Sequence, residues 1–163
     1  MLLHGSCHCG AVKFSVESHT PYPYMRCYCS ICRKTGGGGG YAINIMGEAE
    51  TLKVEGKEHL QIYRAMLPDE KTGTLKQSGA RRHFCKQCGS ALWAFDPEWA
   101  QWVYPLASAI DTPLPKPPET LHIMLEFAAP WVEVPEGKNQ PHFPRYPTEA
   151  IIDWHKRQGL YDA

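Results

Sequence analysis

The segments GSCHCGAVKF (residues 5–14), CYCSICRKTGG (27–37) and FCKQCGSALW (84–93) hold all seven cysteines of this chain, and their spacing decides how it folds. Cys7 and Cys9 form a C-x-C, Cys27, Cys29 and Cys32 a C-x-C-x-x-C, and Cys85 and Cys88 a C-x-x-C. Such spacing sets thiolates side by side on tight turns, which is how a chain builds a tetrahedral sulfur site for a soft cation. Disulfides fit poorly, because cysteines one residue apart pair badly and an odd number leaves a thiol over. The C-x-C and C-x-x-C together supply four thiolates and a closed site. The triplet then keeps one position free for water or substrate, where chemistry happens. Spacing alone also permits the triplet to borrow a cysteine from another cluster.

Outward from the cysteines, the chain reads as short strands. Residues 11–16 (AVKFSV), 41–45 (YAINI), 60–63 (LQIY) and 121–127 (LHIMLEF) alternate apolar and polar positions. Gly and Pro punctuate them, as turns require. One helix is expected over 147–158 (PTEAIIDWHKRQ), with Thr148 as N-cap and Gly159 as stop. The expectation is therefore a mainly β fold of short strands with a C-terminal helix. Pinning Cys7 and Cys9 to Cys85 and Cys88 closes a long loop, which helps most in a small β domain. With 163 residues and no internal repeat, the chain is expected to be one domain (1–163), its core about 3–128 and its C-terminal extension about 129–163.

A net charge of zero argues against a broad basic surface for nucleic acid. The start, MLLHGSCHCG, lacks the apolar core of a signal peptide, and no apolar run approaches the ~20 residues of a membrane helix. A cytoplasmic location is expected, where thiols stay reduced and clustered cysteines favour metal.

Three anionic sulfurs make zinc a weak Lewis acid whose natural fourth ligand is another thiol, deprotonated yet still nucleophilic. The expected chemistry at the triplet is attack of a thiolate on an electrophilic carbon such as an aldehyde. His8 and His83 adjoin the clusters but are surplus to the ligand count. His4, His19, His59, His122 and His142 carry no assigned role, and His155 qualifies as an acid or base only if the terminal helix covers the open site. Trp93, Phe95, Trp99, Trp102 and Tyr104 are read mostly as core, with one or two walling a substrate cavity and self-association as a homodimer left open. Asp96 and Asp111 have nothing local to mark them as acids or bases. The glycines at 36–40 form either a flexible connection or a backbone that approaches a substrate closely.

The three cysteine segments, together with DPEWAQWVYPLASAID (96–111), APWVEVP (129–135) and YPTEAIIDWH (146–155), resemble the glutathione-dependent formaldehyde-activating enzyme family. The resemblance implies a zinc-pinned, Mss4-like β-sheet fold with two Zn2+ ions. It assigns a structural zinc to Cys7, Cys9, Cys85 and Cys88, and a catalytic, labile zinc to Cys27, Cys29 and Cys32. It also implies a carbon–sulfur lyase that joins a small thiol, glutathione, to an aldehyde, formaldehyde. The run of five glycines is longer than the family's usual short turn. A glutathione site should offer cations for two carboxylates, and Arg33 and Lys34 beside the triplet are the expected contacts, with Arg26, Arg81 and Arg82 nearby. Taken singly, each of these cations more simply balances thiolate charge or faces water. The competing reading is a non-catalytic, zinc-stabilised binding module or thiol-adduct carrier, which the Mss4-like relatives suggest by fold analogy.

Overall fold

Alternation at the N-terminus builds a hairpin. Strands β1 (Leu2–Ser6) and β2 (Lys13–Glu17) pair antiparallel from Leu2↔Glu17 to Ser6↔Lys13, turning Leu3, Phe14 and Val16 inward and His4 and Lys13 to solvent. β6 (Lys53–Glu55) joins the free side of β2 and completes a three-stranded sheet. The structure, a computed structural model, describes residues 1–161.

A five-stranded antiparallel sheet packs beside this hairpin. Its order is β5 (Gly47–Glu48), β12 (Trp102–Pro105), β11 (Ala91–Phe95), β10 (Arg81–Cys85) and β7 (Leu60–Tyr63). Leu3, Val16, Ile45, Leu92, Trp93 and Val103 are buried together between the two sheets. Each such aliphatic side chain contributes roughly 1.5–3 kcal/mol when withdrawn from water. Phe14 meets Trp93 edge-on, with ring centroids 5.3 Å apart.

The third sheet carries the triplet. β3 (Met25–Cys27) lies between β4 (Ala42–Ile43), antiparallel, and β13 (Leu121–Ile123), parallel. Helix α1 (Ser30–Gly36) leaves β3 directly, and a second buried cluster forms around Tyr24, Leu106, Leu121, Ile123 and Trp154. β8 (Met66–Pro68) and β9 (Leu75–Gln77) make a separate hairpin.

Four boundaries differ from the expectation. The strand expected over 11–16 runs over Lys13–Glu17, because Cys7 N–H bonds to the Val12 carbonyl within the cysteine turn. The strand expected over 121–127 stops at Ile123, because Met124 turns left-handed (φ 60) and Leu125–Phe127 form a 3-10 turn. The strand expected over 41–45 shortens to β4. Helix α2 covers Ile151–Arg157, with Ala150 in place of Thr148 at its cap. Tertiary contacts fix that start: Trp154 stacks on Tyr24 at 3.8 Å and donates to Glu119 at 2.8 Å, while Arg157 clasps Glu149 at 2.7 and 2.9 Å. Gly159 does end the helix, left-handed at φ 69, with Leu160 N–H returning to the His155 carbonyl.

Candidate functional site

Two turns of one design lie directly against each other. In the first, Cys7 N–H bonds to the Val12 carbonyl and Gly10 N–H to the Cys7 carbonyl. In the second, Cys85 N–H bonds to the Ser90 carbonyl and Gly89 N–H to the Cys85 carbonyl. Both turns pass through a glycine at φ 74, a conformation that a side chain would strain. His8 N–H donates to Ser90 Oγ at 3.0 Å and ties the turns together.

The four sulfurs of Cys7, Cys9, Cys85 and Cys88 lie within 4.8 Å of one another. Cys7–Cys9 is 3.5 Å and Cys9–Cys85 is 3.8 Å. Tetrahedral ligands on an ion with ~2.3 Å metal–sulfur bonds stand about 3.8 Å apart, so this group fits such an ion. Cys7 and Cys85 are buried, whereas Cys9 and Cys88 reach the surface. The Ser90 hydroxyl and backbone N–H lower Cys88 to about 5, and Val12 N–H reaches Cys7 Sγ at 3.2 Å. N–H and O–H donors aimed at sulfur favour the ionised form that metals bind.

Cys27, Cys29 and Cys32 form a second group with all sulfurs within 4.8 Å. Cys27 ends β3, Cys29 is the N-cap of α1, and Cys32 sits in its first turn. The Cys29 sulfur accepts Cys32 N–H at 3.3 Å, so a thiolate does the capping that Ser or Asp usually does. Cys29 is pulled down to about 2, first by the Cys27 and Cys32 thiols and then by backbone N–H groups. Cys27 is driven up by the same partners and by burial. Thiols must lose their protons to bind a cation, so binding at this group would release them. No fourth protein sulfur, histidine or carboxylate completes this group among the described residues.

A cleft of about 570 Å³ opens over the triplet. Phe95, Trp99, Trp102 and Tyr104 form one wall, and Ile151 and Ile152 of α2 form another. Four of the five residues in the aromatic stretch therefore wall the cavity. Trp93 alone is core, stacked on His83 at 5.0 Å. Asp96 and Glu149 reach the cleft, and Asn44 brings to it a buried side-chain oxygen without a hydrogen-bond partner. Tyr146 borders it too, and its hydroxyl is pushed up to about 12 by surrounding protein and by the negative field of the three cysteines.

Arg82 is the cation at the site. It projects from β10 with Nη2 3.9 Å from Cys32 Sγ, and it is the only Lys or Arg lining the cleft among the described residues. Arg33 and Lys34 lie on the last turn of α1, outside the cleft lining. Arg26 lies over the Tyr41 ring at 4.7 Å, and Arg81 faces solvent. Helix α2 does cover the triplet side, but the His155 ring is fully buried away from it. It donates to the Ile151 carbonyl at 2.8 Å and accepts Tyr22 N–H at 3.4 Å. Asp111 accepts from Ser6 at 2.7 Å, away from the cleft. The glycines at 36–40 are absent from the cleft lining; a Cβ at Gly37 would lie 1.9 Å from the Tyr41 carbonyl oxygen, so this turn serves packing.

The sequence model of the family described as glutathione-dependent formaldehyde-activating enzyme matches residues 2–125. A Halomonas elongata protein whose provisional name is that of the same enzyme is 57% identical over 163 residues, all of both chains. The crystal structure of a Rhodobacter sphaeroides protein resembles this fold with a TM-score of 0.50 at 27% identity, over 69% of this chain and 91% of that one. With the family pattern spanning both cysteine groups and a full-length relative above half identity, this chain belongs to the glutathione-dependent formaldehyde-activating enzyme family.

Proposed function

We propose that this chain forms or cleaves the adduct between a small thiol and an aldehyde such as formaldehyde, at the cysteine triplet. In the synthetic direction a carbon–sulfur bond forms and the thiol proton ends on the former carbonyl oxygen; the reverse is a carbon–sulfur lyase reaction. One observation carries the reading: the triplet offers three sulfurs beneath a cleft, while the other group supplies all four of its own.

Zinc held by Cys27, Cys29 and Cys32 would supply an open position at which a thiol loses its proton yet stays nucleophilic. The chain's own residues do the rest. Arg82 offsets the negative charge that Cys32 and its neighbours present. Phe95, Trp102 and the α2 isoleucines keep water from the aldehyde. The buried Asn44 Oδ1 would accept a hydrogen bond from the adduct's hydroxyl, which satisfies that atom. Cys7, Cys9, Cys85 and Cys88 would hold a second, structural zinc. We read residues 1–163 as one domain, which the packing of Trp154 from the C-terminal extension against Tyr24 supports, and place it in the cytoplasm because clustered thiols stay reduced there.

The test is zinc per chain in anaerobically purified protein, with and without a thiol, for the parent and Cys29→Ser. Two ions falling to one in the variant, with thiol protecting the second, is the expected result. One ion in both proteins, whatever thiol is present, would leave a zinc-stabilised binding module.

A further inference from the structure

The outer edges of the sheets are closed in different ways. The open side of β1 is met by Ile110 opposite Gly5 and by Asp111 N–H on the His4 carbonyl. The open side of β13 is met by His142 opposite His122, with Phe143 N–H on the His122 carbonyl. β6, the outer strand of its sheet, carries Lys53 and Glu55 at its two ends. Charges so placed keep a sheet edge from pairing with another chain. β7 has no such guard. It ends the five-stranded sheet with Leu60, Gln61, Ile62 and Tyr63, without a charge or a proline.

The register shows which backbone groups β7 presents. It pairs with β10 from Tyr63↔Arg82 to Leu60↔Cys85, and one step further Lys86 N–H donates to the His59 carbonyl at 2.9 Å. Bonded pairs alternate along an antiparallel ladder, so Gln61 and Tyr63 also bond inward, to β10. Cys85 N–H agrees with this, turning away from Leu60 to the Ser90 carbonyl. Leu60 and Ile62 therefore aim N–H and C=O outward, past the last strand of the sheet. Apolar side chains border that row. Ile62 and Tyr63 are exposed, as are Met66, Leu67 and Leu75 on the adjoining β8–β9 hairpin, and Leu60 and Ile62 line one recess with Leu52 and Val54.

We infer that β7 is a self-association edge, to which a second copy of this chain adds its own β7 antiparallel. A two-fold axis at Gln61 pairs Leu60 with Ile62 of the second copy. Each such pair exchanges both backbone bonds and sets apolar against apolar side chain. The same register brings Glu58, exposed in the turn before β7, opposite Arg64 of the second copy just beyond it, and symmetry repeats the match. Moving the axis to Leu60 or Ile62 keeps the outward bonds but opposes Glu58 to Ile62, or Leu60 to Arg64. Charge complementarity thus selects both the partner and the register.

Sedimentation velocity of the zinc-loaded full chain, from about 1 to about 100 µM, tests this. A species of twice the chain mass should grow with concentration. Ile62→Lys, a charge at an exposed edge position, is expected to weaken association at least about tenfold with an unchanged circular dichroism spectrum. Glu58→Arg should weaken it about fivefold by opposing like charges, and adding Arg64→Glu should restore it. A monomer throughout the range overturns the inference and leaves the edge to a different chain. A dimer of parental strength in folded Ile62→Lys overturns it too, by placing the contact elsewhere. A folded double variant as weak as Glu58→Arg overturns the register centred on Gln61.

Discussion

The two cysteine groups use the same side chain in opposite ways. The four-cysteine group is built from a pair of matching turns whose sulfurs come from positions as far apart as Cys9 and Cys85, and half of it lies at the surface. The triplet draws every ligand from six consecutive residues, at the end of one strand and the start of one helix, beneath an aromatic cleft. Distant ligands make a cross-link, and a full set of four leaves an ion nothing further to bind. Adjacent ligands cross-link nothing, and their missing fourth partner leaves a vacancy for chemistry. On the function proposed above, what would separate a brace from a reaction centre is where the sulfurs come from and what surrounds them.

The harshest way to break that comparison is Cys85→Ser. Structural zinc in small domains contributes on the order of 10 kcal/mol, comparable to the ~5–15 kcal/mol that holds a whole domain together. The variant should lose its cooperative thermal transition by circular dichroism. A melting curve like the parent's would show that the first group braces nothing.

Cys29→Ser should do the reverse: the transition moves by no more than a few degrees while adduct formation falls about a thousandfold, equivalent to ~4 kcal/mol. Exchange NMR with 13C-formaldehyde and a thiol measures this against the uncatalysed background. A variant as unstable as Cys85→Ser would erase the division between the groups.

Arg82→Gln sharpens the comparison from outside the ligand set. It removes the charge facing Cys32 and is expected to cost about 10–100-fold in metal affinity at the triplet, as loss of an outer partner usually does. Competitive chelation should show the tightest-bound ion unchanged and the weaker one released earlier.

The smallest effect is shared by both halves. Burial lowers the basicity of His83, stacked on Trp93 in the first core, and of His122 and His155 in the second. Each stays neutral in the folded chain but takes up a proton when unfolded, so the unfolded state binds more protons below its pKa near 6.5. This contribution is fully present above about pH 6.5 and is lost as pH falls toward the depressed folded values. Melting temperatures at pH 7.5, 6.5 and 5.5 should hold level and then drop; a rise on acidification would contradict it.

The features legible in the sequence are those with local causes. The two cysteine groupings are among those that ligand spacing permits, the structure selecting the four-plus-three division, and β7 falls where LQIY alternates. The family resemblance, carried by the same segments, is matched by the family pattern over residues 2–125. What the sequence hid depends on contacts between distant segments. Helix α1 has only seven residues, and SICRKTG lacks the apolar repeat that would announce it; its start is fixed by a cysteine acting as cap. Arg82 meets Cys32 across fifty positions and looked no different from Arg33 or Lys34, which stand closer in sequence. The displaced start of α2 shows a capping preference of about 1 kcal/mol yielding to the buried stacking of Trp154.

The distance between the two halves of the four-cysteine group also sets an order of events at the ribosome. Five thiols, Cys7, Cys9 and the triplet, emerge before Cys85 has been translated. A nascent chain that meets zinc then holds more ligands than one ion needs, in a combination the finished protein never uses. Growth conditions that raise free zinc during synthesis should therefore lower the yield of correctly metallated protein, and expression at low zinc followed by loading of the completed chain should recover it.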